Sequence, residues 1–327
     1  MTITIRDVAR KAHVSVATVS RALSSPDLVR PDTRTRVLAA ATELGYQPNR
    51  AARGLITGKT GNIGIVVPDL DNPFYTGILK AVQTRAAQAD YAVFVADSDE
   101  DPAAEAKLVR AMAKQVDGLL LCSPGLPAAE ITAAAEATSL VLLDHRLPGI
   151  PSTVMDSGDG VRQVVAHLVA LGHRRIAFLS GPRTAWSNEE RRAGLARAVG
   201  EHSIDLVELG PFAPRFEGGL QAADLALAAD VTAIMAYNDI MALGVLARLR
   251  DRGVSVPGDV SVTGFDNLTY ASLTSPALTT VRMPLAAAGR TSVNMLLDWL
   301  DVSEGSAPHV VLATQIIIRG TTAPPGC

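Results

Sequence analysis

The stretch IRDVARKAHVSVATVSRALS, residues 5–24, carries two short amphipathic patterns set three residues apart. In the first, Ile5, Val8, Ala9 and Ala12 recur at i, i+3, i+4 and i+7, which predicts one apolar helix face ending at His13-Val14. Ser15 is a favoured N-cap, so a second helix is predicted from Val16 to about Ser24, with Val16, Val19, Ala22 and Leu23 turned inward. Further on, Pro31 at a first helical position and Asp32 in the first turn open a third helix. It turns Val37, Leu38, Ala41 and Leu44 inward and is closed by Gly45 as a left-handed cap. Three helices then share one small core. Helix, three-residue turn and helix is the spacing of a helix-turn-helix, whose second helix can enter a DNA major groove; an ordinary helical hairpin has the same spacing.

Charge separates this head from the rest. Residues 1–60 hold ten Lys and Arg against four Asp and Glu, whereas the remaining 267 hold 20 against 29. A basic head on an acidic body is what a polyanion-binding module joined to a sensor looks like, although a small basic segment is also read as a solvated face. The two cysteines, Cys122 and Cys327, supply neither a disulfide framework nor a four-thiolate metal site. The N-terminus lacks a signal-peptide core, and no stretch reaches the roughly 18 apolar residues of a membrane span, so a cytoplasmic protein without membrane contact is expected.

From Gly61 short apolar runs alternate with amphipathic helices. Strands are expected at 63–67, 92–96, 118–122, 140–143, 175–179, 206–209, 233–236 and 260–263, with helices of about 10 to 17 residues between most of them. The expected fold is thus an all-α helix-turn-helix head followed by an α/β body with parallel sheets. One eight-stranded sheet is possible. Two similar lobes suit the size better and create a ligand crevice at the strands' carboxyl ends. The boundaries are 1–45 for the head, 46–60 for a hinge linker and 61–327 for the body. Within the body the first lobe is about 61–155, the second about 156–282, and the chain crosses back near 281–327. Residues 281–284 read as linker, 285–300 as helix and 310–318 as strand. In the linker, Pro48 breaks any helix continuing from the head, and Asn49 can cap a short one that Gly54 weakens by roughly 1 kcal/mol, so this segment is poised to order on contact.

The string DVARKAHVSVATVSRAL (7–23), with TRTRVLAAATELGYQPNRAARGL (33–55), resembles the head and hinge of the lactose/galactose-repressor (LacI/GalR) family of transcriptional regulators. The similarity continues in order through NPFY (72–75), HLVALGHRRIAFLSGP (167–182), RRAGL (191–195), NDIMALGVL (238–246), SVTGFDN (261–267) and LTTVRMPLAAAG (278–289). The resemblance implies a sequence-specific DNA-binding regulator, a repressor, controlled allosterically by a small sugar or related metabolite. It also implies a homodimer on a pseudopalindromic operator in double-stranded DNA.

In such repressors the first two residues of the recognition helix choose bases, and here they are Val16 and Ala17. Neither offers a hydrogen bond, so their readout is apolar, through thymine methyls and shape, leaving polar discrimination to Arg21. Ser15, Thr18, Ser20, Asn49 and Arg50 complete the implied DNA-contacting set. Leu55 holds the place of the family's minor-groove wedge; a hinge-packing leucine is the plainer reading.

The body resembles periplasmic sugar-binding proteins. Its cleft is implied to present Phe74, Tyr75, Asp144, Arg191, Asn238 and Asp266, with Phe212 stacking on a sugar face. Carboxylates and an amide take hydroxyl protons while Arg supplies a fork of donors. Helix capping by Asp144 and Asp266, or a surface ion pair for Arg191, would explain the same residues without a ligand. Met283 and Leu285 stand where some sugar-responsive relatives place polar or aromatic side chains.

Catalytic motifs are weak. GLITGKT, residues 54–60, misses a P-loop by one residue between its glycines and precedes a strand instead of following one. No nucleophile elbow or zinc-protease helix occurs in the sequence, and the six histidines are scattered, with His167 and His173 reading as structural. Neither an enzyme nor a cofactor or metal site is expected.

Overall fold

In a computed structural model, residues 3–24, 26–46, 59–300 and 306–326 are described. Contacts divide the chain into two compact units, Met1–Gly61 and Asn62–Cys327. The first contains α1 (Ile5–Ala12), α2 (Val16–Ser24), a 3-10 turn (Pro26–Leu28) and α3 (Pro31–Leu44). Asp7 anchors the start of α1, accepting the Thr4 backbone N–H at 3.0 Å and its hydroxyl at 2.7 Å. His13 and Gly45, both left-handed, close α1 and α3.

The core of this unit is Val8, Ala9, Ala12, Val19, Ala22, Val37, Ala40 and Ala41. Two inward assignments are corrected. Val16 is 42% exposed and Leu38 41% exposed. At about 3.6 residues per turn, Val37, Ala40, Ala41 and Leu44 form the stripe, and Leu38 falls about 100° off it. Val16 opens α2, with its side chain beyond the packed face.

In the second unit, β1 (Asn62–Val67), β2 (Ala92–Asp97), β3 (Gly118–Cys122), β4 (Ser139–Leu143), β5 (Ser152–Met155) and β11 (His309–Leu312) form one parallel sheet in the order β11-β5-β4-β3-β1-β2. A second parallel sheet runs β7-β6-β8-β9, from β6 (Arg175–Leu179), β7 (Asp205–Leu209), β8 (Ala233–Ala236) and β9 (Ser261–Thr263). Strands such as β3, GLLLC, are buried along their whole length because helices cover both faces, which is why they read as unbroken apolar runs.

The connecting helices are α4 (Pro73–Gln88), α5 (Pro102–Met112), α6 (Ala128–Ala137), α7 (Ser157–Ala170), α8 (Trp186–His202), α9 (Phe216–Ala228), α10 (Asp239–Asp251), α11 (Thr269–Leu273) and α12 (Leu285–Trp299). Two glycines fix the approach of α9 to α10: a Cβ on Gly219 would lie 2.0 Å from the Met241 carbonyl oxygen, and one on Gly244 2.0 Å from that of Phe216.

The chain passes between the sheets three times. After β5 it enters α7 and the second sheet; after β10 (Thr280–Arg282) it returns through α12, which packs on α4; after β11 it crosses again to β12 (Gln315–Ile317), antiparallel to β10. The segment expected as linker therefore contains a short strand, and the strand expected over 310–318 is two strands in two sheets. Thr314 marks the break, its hydroxyl donating to the Asp156 carbonyl at 2.9 Å. His173 pins the C-terminal segment: its ring nitrogens lie 2.9 Å from the Thr232 hydroxyl and 2.9 Å from the Ala323 carbonyl. Among the described residues no helix is long and apolar enough to cross a membrane.

Candidate functional site

The carboxyl ends of the two parallel sheets meet at a cavity of about 150 Å³ available to water-sized molecules. Phe74, Tyr75, Asp144, Arg191, Asn238 and Asp266 all line it. Phe212 does not; it is half-buried against the apolar core of the second sheet. The loop between β7 and α9 commits its ring there, so the stacking role expected of it is corrected. Lining residues that sequence reasoning missed include Trp186, Ser187, Tyr237, Ser123 and Glu105.

Asp144 follows β4 and is 2% exposed, at φ +53°. No helix begins at Asp144, so it is not a cap. The Ser123 hydroxyl, past the end of β3, donates to its Oδ2 at 3.4 Å, while Oδ1 is buried without a partner. Burial pushes its pKa up to about 6, against the opposing pull of Arg191. Asp266 follows β9 at φ +113°, and burial holds it well above the usual carboxylate range. Left-handed backbone at non-glycine residues costs free energy and concentrates at binding sites.

Arg191, in the second turn of α8, is buried and so is no surface ion pair. Its Nη1 donates to the Tyr237 carbonyl, and Nη2 lies 3.8 Å from Asp266 Oδ1. The guanidinium carbon sits 3.9 Å from the centroid of the Phe265 ring and 4.4 Å from that of Tyr237, a double cation–π contact that substitutes for water. Nε is buried without a partner. The Tyr237 hydroxyl lies 2.7 Å from Ser187 Oγ, tying the start of α8 to the end of β8.

Asn238 caps α10, its Oδ1 accepting the Met241 N–H at 2.8 Å, and its Nδ2 donates to the Pro214 carbonyl at 2.9 Å. Most of its hydrogen-bonding capacity is thus spent on positioning loops. Glu105, on α5, accepts the Gly125 N–H at 2.9 Å, and burial raises its pKa to about 7. At the mouth of the cleft, Arg215 Nη2 from the second lobe lies 3.0 Å from Asp99 Oδ1 and 3.4 Å from Asp69 Oδ2 of the first. Met283 is buried in the core, and Leu285 packs over Gly77, so neither lines the cavity.

In the head, Ser15 caps α2, its Oγ accepting the Thr18 N–H at 3.1 Å and lying 2.9 Å from the Thr18 hydroxyl. Val16, Ala17 and Arg21 are exposed on the same helix, and Thr18 and Ser20 are half-buried. Asn49, Arg50 and Leu55 lie outside the described residues.

A helix-turn-helix unit and a two-lobed body with a polar, aromatic-walled cleft together define a ligand-binding transcriptional regulator. Family comparison supports both parts. Residues 4–49 match the model of bacterial regulatory proteins of the lacI family, and residues 165–322 match a periplasmic binding protein-like domain. The chain is 36% identical to the HTH-type transcriptional regulator GalS of Salmonella typhimurium, covering 96% of this chain and 95% of that one. It is 33% identical to the HTH-type transcriptional repressor CytR of Escherichia coli, over 98% and 96% of the two chains. The Lac repressor dimer bound to operator and the anti-inducer ONPF superposes with a TM-score of 0.89 at 31% identity, over 99% of this chain and 100% of that one. The chain belongs to the LacI family of bacterial transcriptional regulators.

Proposed function

We propose that this regulator represses transcription as a cytoplasmic homodimer on a pseudopalindromic operator, its DNA affinity set by a small polyhydroxylated effector in the cleft. Residues 1–45 form the DNA reader, 46–60 the hinge, and 61–327 the effector-binding and dimerising body, with lobes at about 61–155 and 156–282. The protein binds and does not catalyse, and it needs no cofactor. In the head, Val16, Ala17 and Arg21 address bases, Ser15, Thr18, Ser20, Asn49 and Arg50 address the backbone, and Leu55 enters the minor groove. The Lac repressor, held as a dimer on operator with a small molecule, is the pattern carried over.

The observation that supports this reading is the convergence of Asp144 from the first lobe and Arg191 and Asp266 from the second on one cavity. A ligand bridging the lobes fixes their relative setting. It thereby favours one of two arrangements of the paired first lobes, and operator and effector become linked without sharing a site. A coupling of about 1–3 kcal/mol changes operator affinity about 5- to 150-fold. The test is operator selection from a random duplex pool, followed by fluorescence anisotropy with and without ligands found by thermal shift on the full chain. A ligand that stabilises the protein should also change operator affinity, and Arg191→Met should abolish that response. Equal operator binding with and without every stabilising ligand would remove the regulatory half of the proposal.

A further inference from the structure

We infer that protons draw the two lobes together. Closure carries Asp144 of the first lobe and Asp266 of the second into one cavity lined, among the described residues, by the single cation Arg191, so the body closes in acid and opens as pH rises. The inference concerns the lobes themselves and holds whatever ligand the cleft takes; only its consequence for DNA rests on the regulatory reading.

The geometry leaves the two acids undercompensated. Asp144 is 2% exposed and Asp266 5%. Arg191 hydrogen-bonds neither: Nη1 donates to the Tyr237 carbonyl, and Nη2 stays 3.8 Å from Asp266 Oδ1. Asp144 Oδ1 is buried without a partner. A carboxylate buried without donors is costly, and the cost disappears when the group binds a proton or when the lobes part and water reaches it. Each of the two carboxylates also opposes the other's charge.

The groups around them leave this imbalance in place. Ser123 donates to Asp144 Oδ2 at 3.4 Å, and burial holds the Cys122 thiol and the Tyr75 hydroxyl far above neutrality. From α8, Arg191 pulls Asp144 down and Glu190 pushes it up, but burial dominates and sets it at about 6. Asp266 meets Arg191 and, from α10, Asp239; burial raises both acids, as it raises the Tyr237 hydroxyl nearby. Asp239 accepts the Leu268 N–H and the Thr280 hydroxyl on its own side of the cleft, and Glu105 accepts the Gly125 N–H within the first lobe, so opening releases neither.

Solvated carboxyl groups titrate near pH 4, so closure between about pH 5 and 8 takes up protons. By linkage, the closing constant should fall by up to about tenfold per pH unit for each proton carried. The contacts at the cleft mouth act with the opposite sign. Arg215 holds Asp99 and Asp69, and faces Glu100, most firmly when those acids are ionised, so it tightens as pH rises.

Trp186 reports the setting of the lobes. It lines the cavity from the second lobe, its ring centroid 5.9 Å from that of His145 in the first. Burial lowers the pKa of His145 to about 4, so the imidazole stays neutral over the interval of interest. In the full chain carrying Trp299→Phe, Trp186 is the sole tryptophan. Its quenching by acrylamide, an uncharged probe, is measured between about pH 5 and 8 at constant ionic strength. The quenching constant should rise several-fold with pH, and should stay low throughout in the same chain carrying Asp144→Asn and Asp266→Asn. A constant that is flat in the parent, that falls with pH, or that rises alike in both chains overturns the inference. Small-angle scattering repeats the test on the unsubstituted chain, whose radius of gyration should be smaller at the acid end; an equal or larger value there also overturns it. Lobes that respond while operator affinity ignores pH would sink the regulatory reading and leave the proton linkage standing.

Discussion

Arg191 Nη2 and Asp266 Oδ1 face each other across 3.8 Å, with only 4% and 5% of their side chains exposed. The gap is longer than a hydrogen bond, so the pair is a Coulombic contact in a poorly screened place rather than a locked bidentate bridge. Asp266 stays well above the usual carboxylate range despite this neighbour, because burial outweighs it. The arginine is held instead by the Tyr237 carbonyl and by two aromatic rings.

Removing the arginine alone therefore leaves a buried acid without its cation. Where Asp266 is ionised, Arg191→Met should cost about 3 kcal/mol or more, as breaking one side of a buried pair does. The deficit should shrink as falling pH protonates Asp266, a change that its burial places above the usual carboxylate range, and shrink again in the double variant Arg191→Met, Asp266→Asn. Urea denaturation of the four proteins checks this; a deficit that is the same at every pH and additive with Asp266→Asn would refute the coupling.

Asp144 gives a pH prediction with a definite sign. Its folded pKa is raised from 3.8 to about 6 by burial, opposed by Arg191, the Met155 N–H and the Ser123 hydroxyl and assisted by Glu190. A raised folded pKa means that the stability contributed by protonation is fully present below about pH 4 and is lost as pH rises through about 6. Asp144→Asn, neutral throughout, should gain on the native protein over that interval, reaching on the order of 2–3 kcal/mol at pH 7 without ligand. Thermal melts between pH 4 and 7 read the difference; parallel curves for the two proteins would show that Asp144 is not the group titrating.

Much of the body was legible because parallel strands buried on both faces, such as 118–122 and 140–143, are nearly pure apolar runs. β5, STVM, escaped because two of its four buried residues are hydroxylic, and the break in 310–318 escaped because periodicity does not say which sheet a strand joins. Asp144, Arg191 and Asp266 were found through family resemblance rather than spacing. Glu105 carries no local signal in the sequence; the backbone N–H that holds its carboxyl group belongs to Gly125, twenty residues away. Trp186 sat at a helix start with nothing local to mark it. Phe212 misled because an aromatic beside a cleft residue says nothing about which way its ring turns.

At the cleft mouth, Arg215 ties the second lobe to Asp99 and Asp69 of the first. Arg215 is 46% exposed and Asp99 86%, so solvent screening limits the link to about 1 kcal/mol or less. Arg215→Ala should shift the ligand-free body toward open lobes by a few-fold, and high salt should do the same to the native protein. Small-angle scattering of the ligand-free protein in low and high salt measures this. A radius of gyration unchanged by both treatments would mean that Arg215 only decorates the surface.

Gly244 tests the packing beneath the site. A methyl group there would lie 2.0 Å from the Phe216 carbonyl oxygen, an atom of the α9 backbone that cannot rotate away. Gly244→Ala should force α9 and α10 apart and cost about 1–3 kcal/mol despite alanine's better helix propensity. A variant as stable as the native protein in urea would show that the two helices separate freely.

The reading surface of the head makes a prediction about specificity as well as affinity. Val16 and Ala17 stand exposed at the start of α2, where neither can make a hydrogen bond to a base edge, while Arg21 is exposed one turn further along. Contacts of valine and alanine with thymine methyls discriminate weakly, so a large share of base selectivity should pass through the arginine. Arg21→Ala should therefore weaken binding to the selected operator by about 1–3 kcal/mol and relax preference at one base pair in each half-site. Val16→Gln should instead create a new preference, for adenine, at the position it faces, because a glutamine amide pairs with adenine N6 and N7. Repeating the duplex selection with each variant separates base reading from charge. An arginine that merely neutralises phosphate would weaken every sequence equally and flatten the salt dependence without altering the selected site.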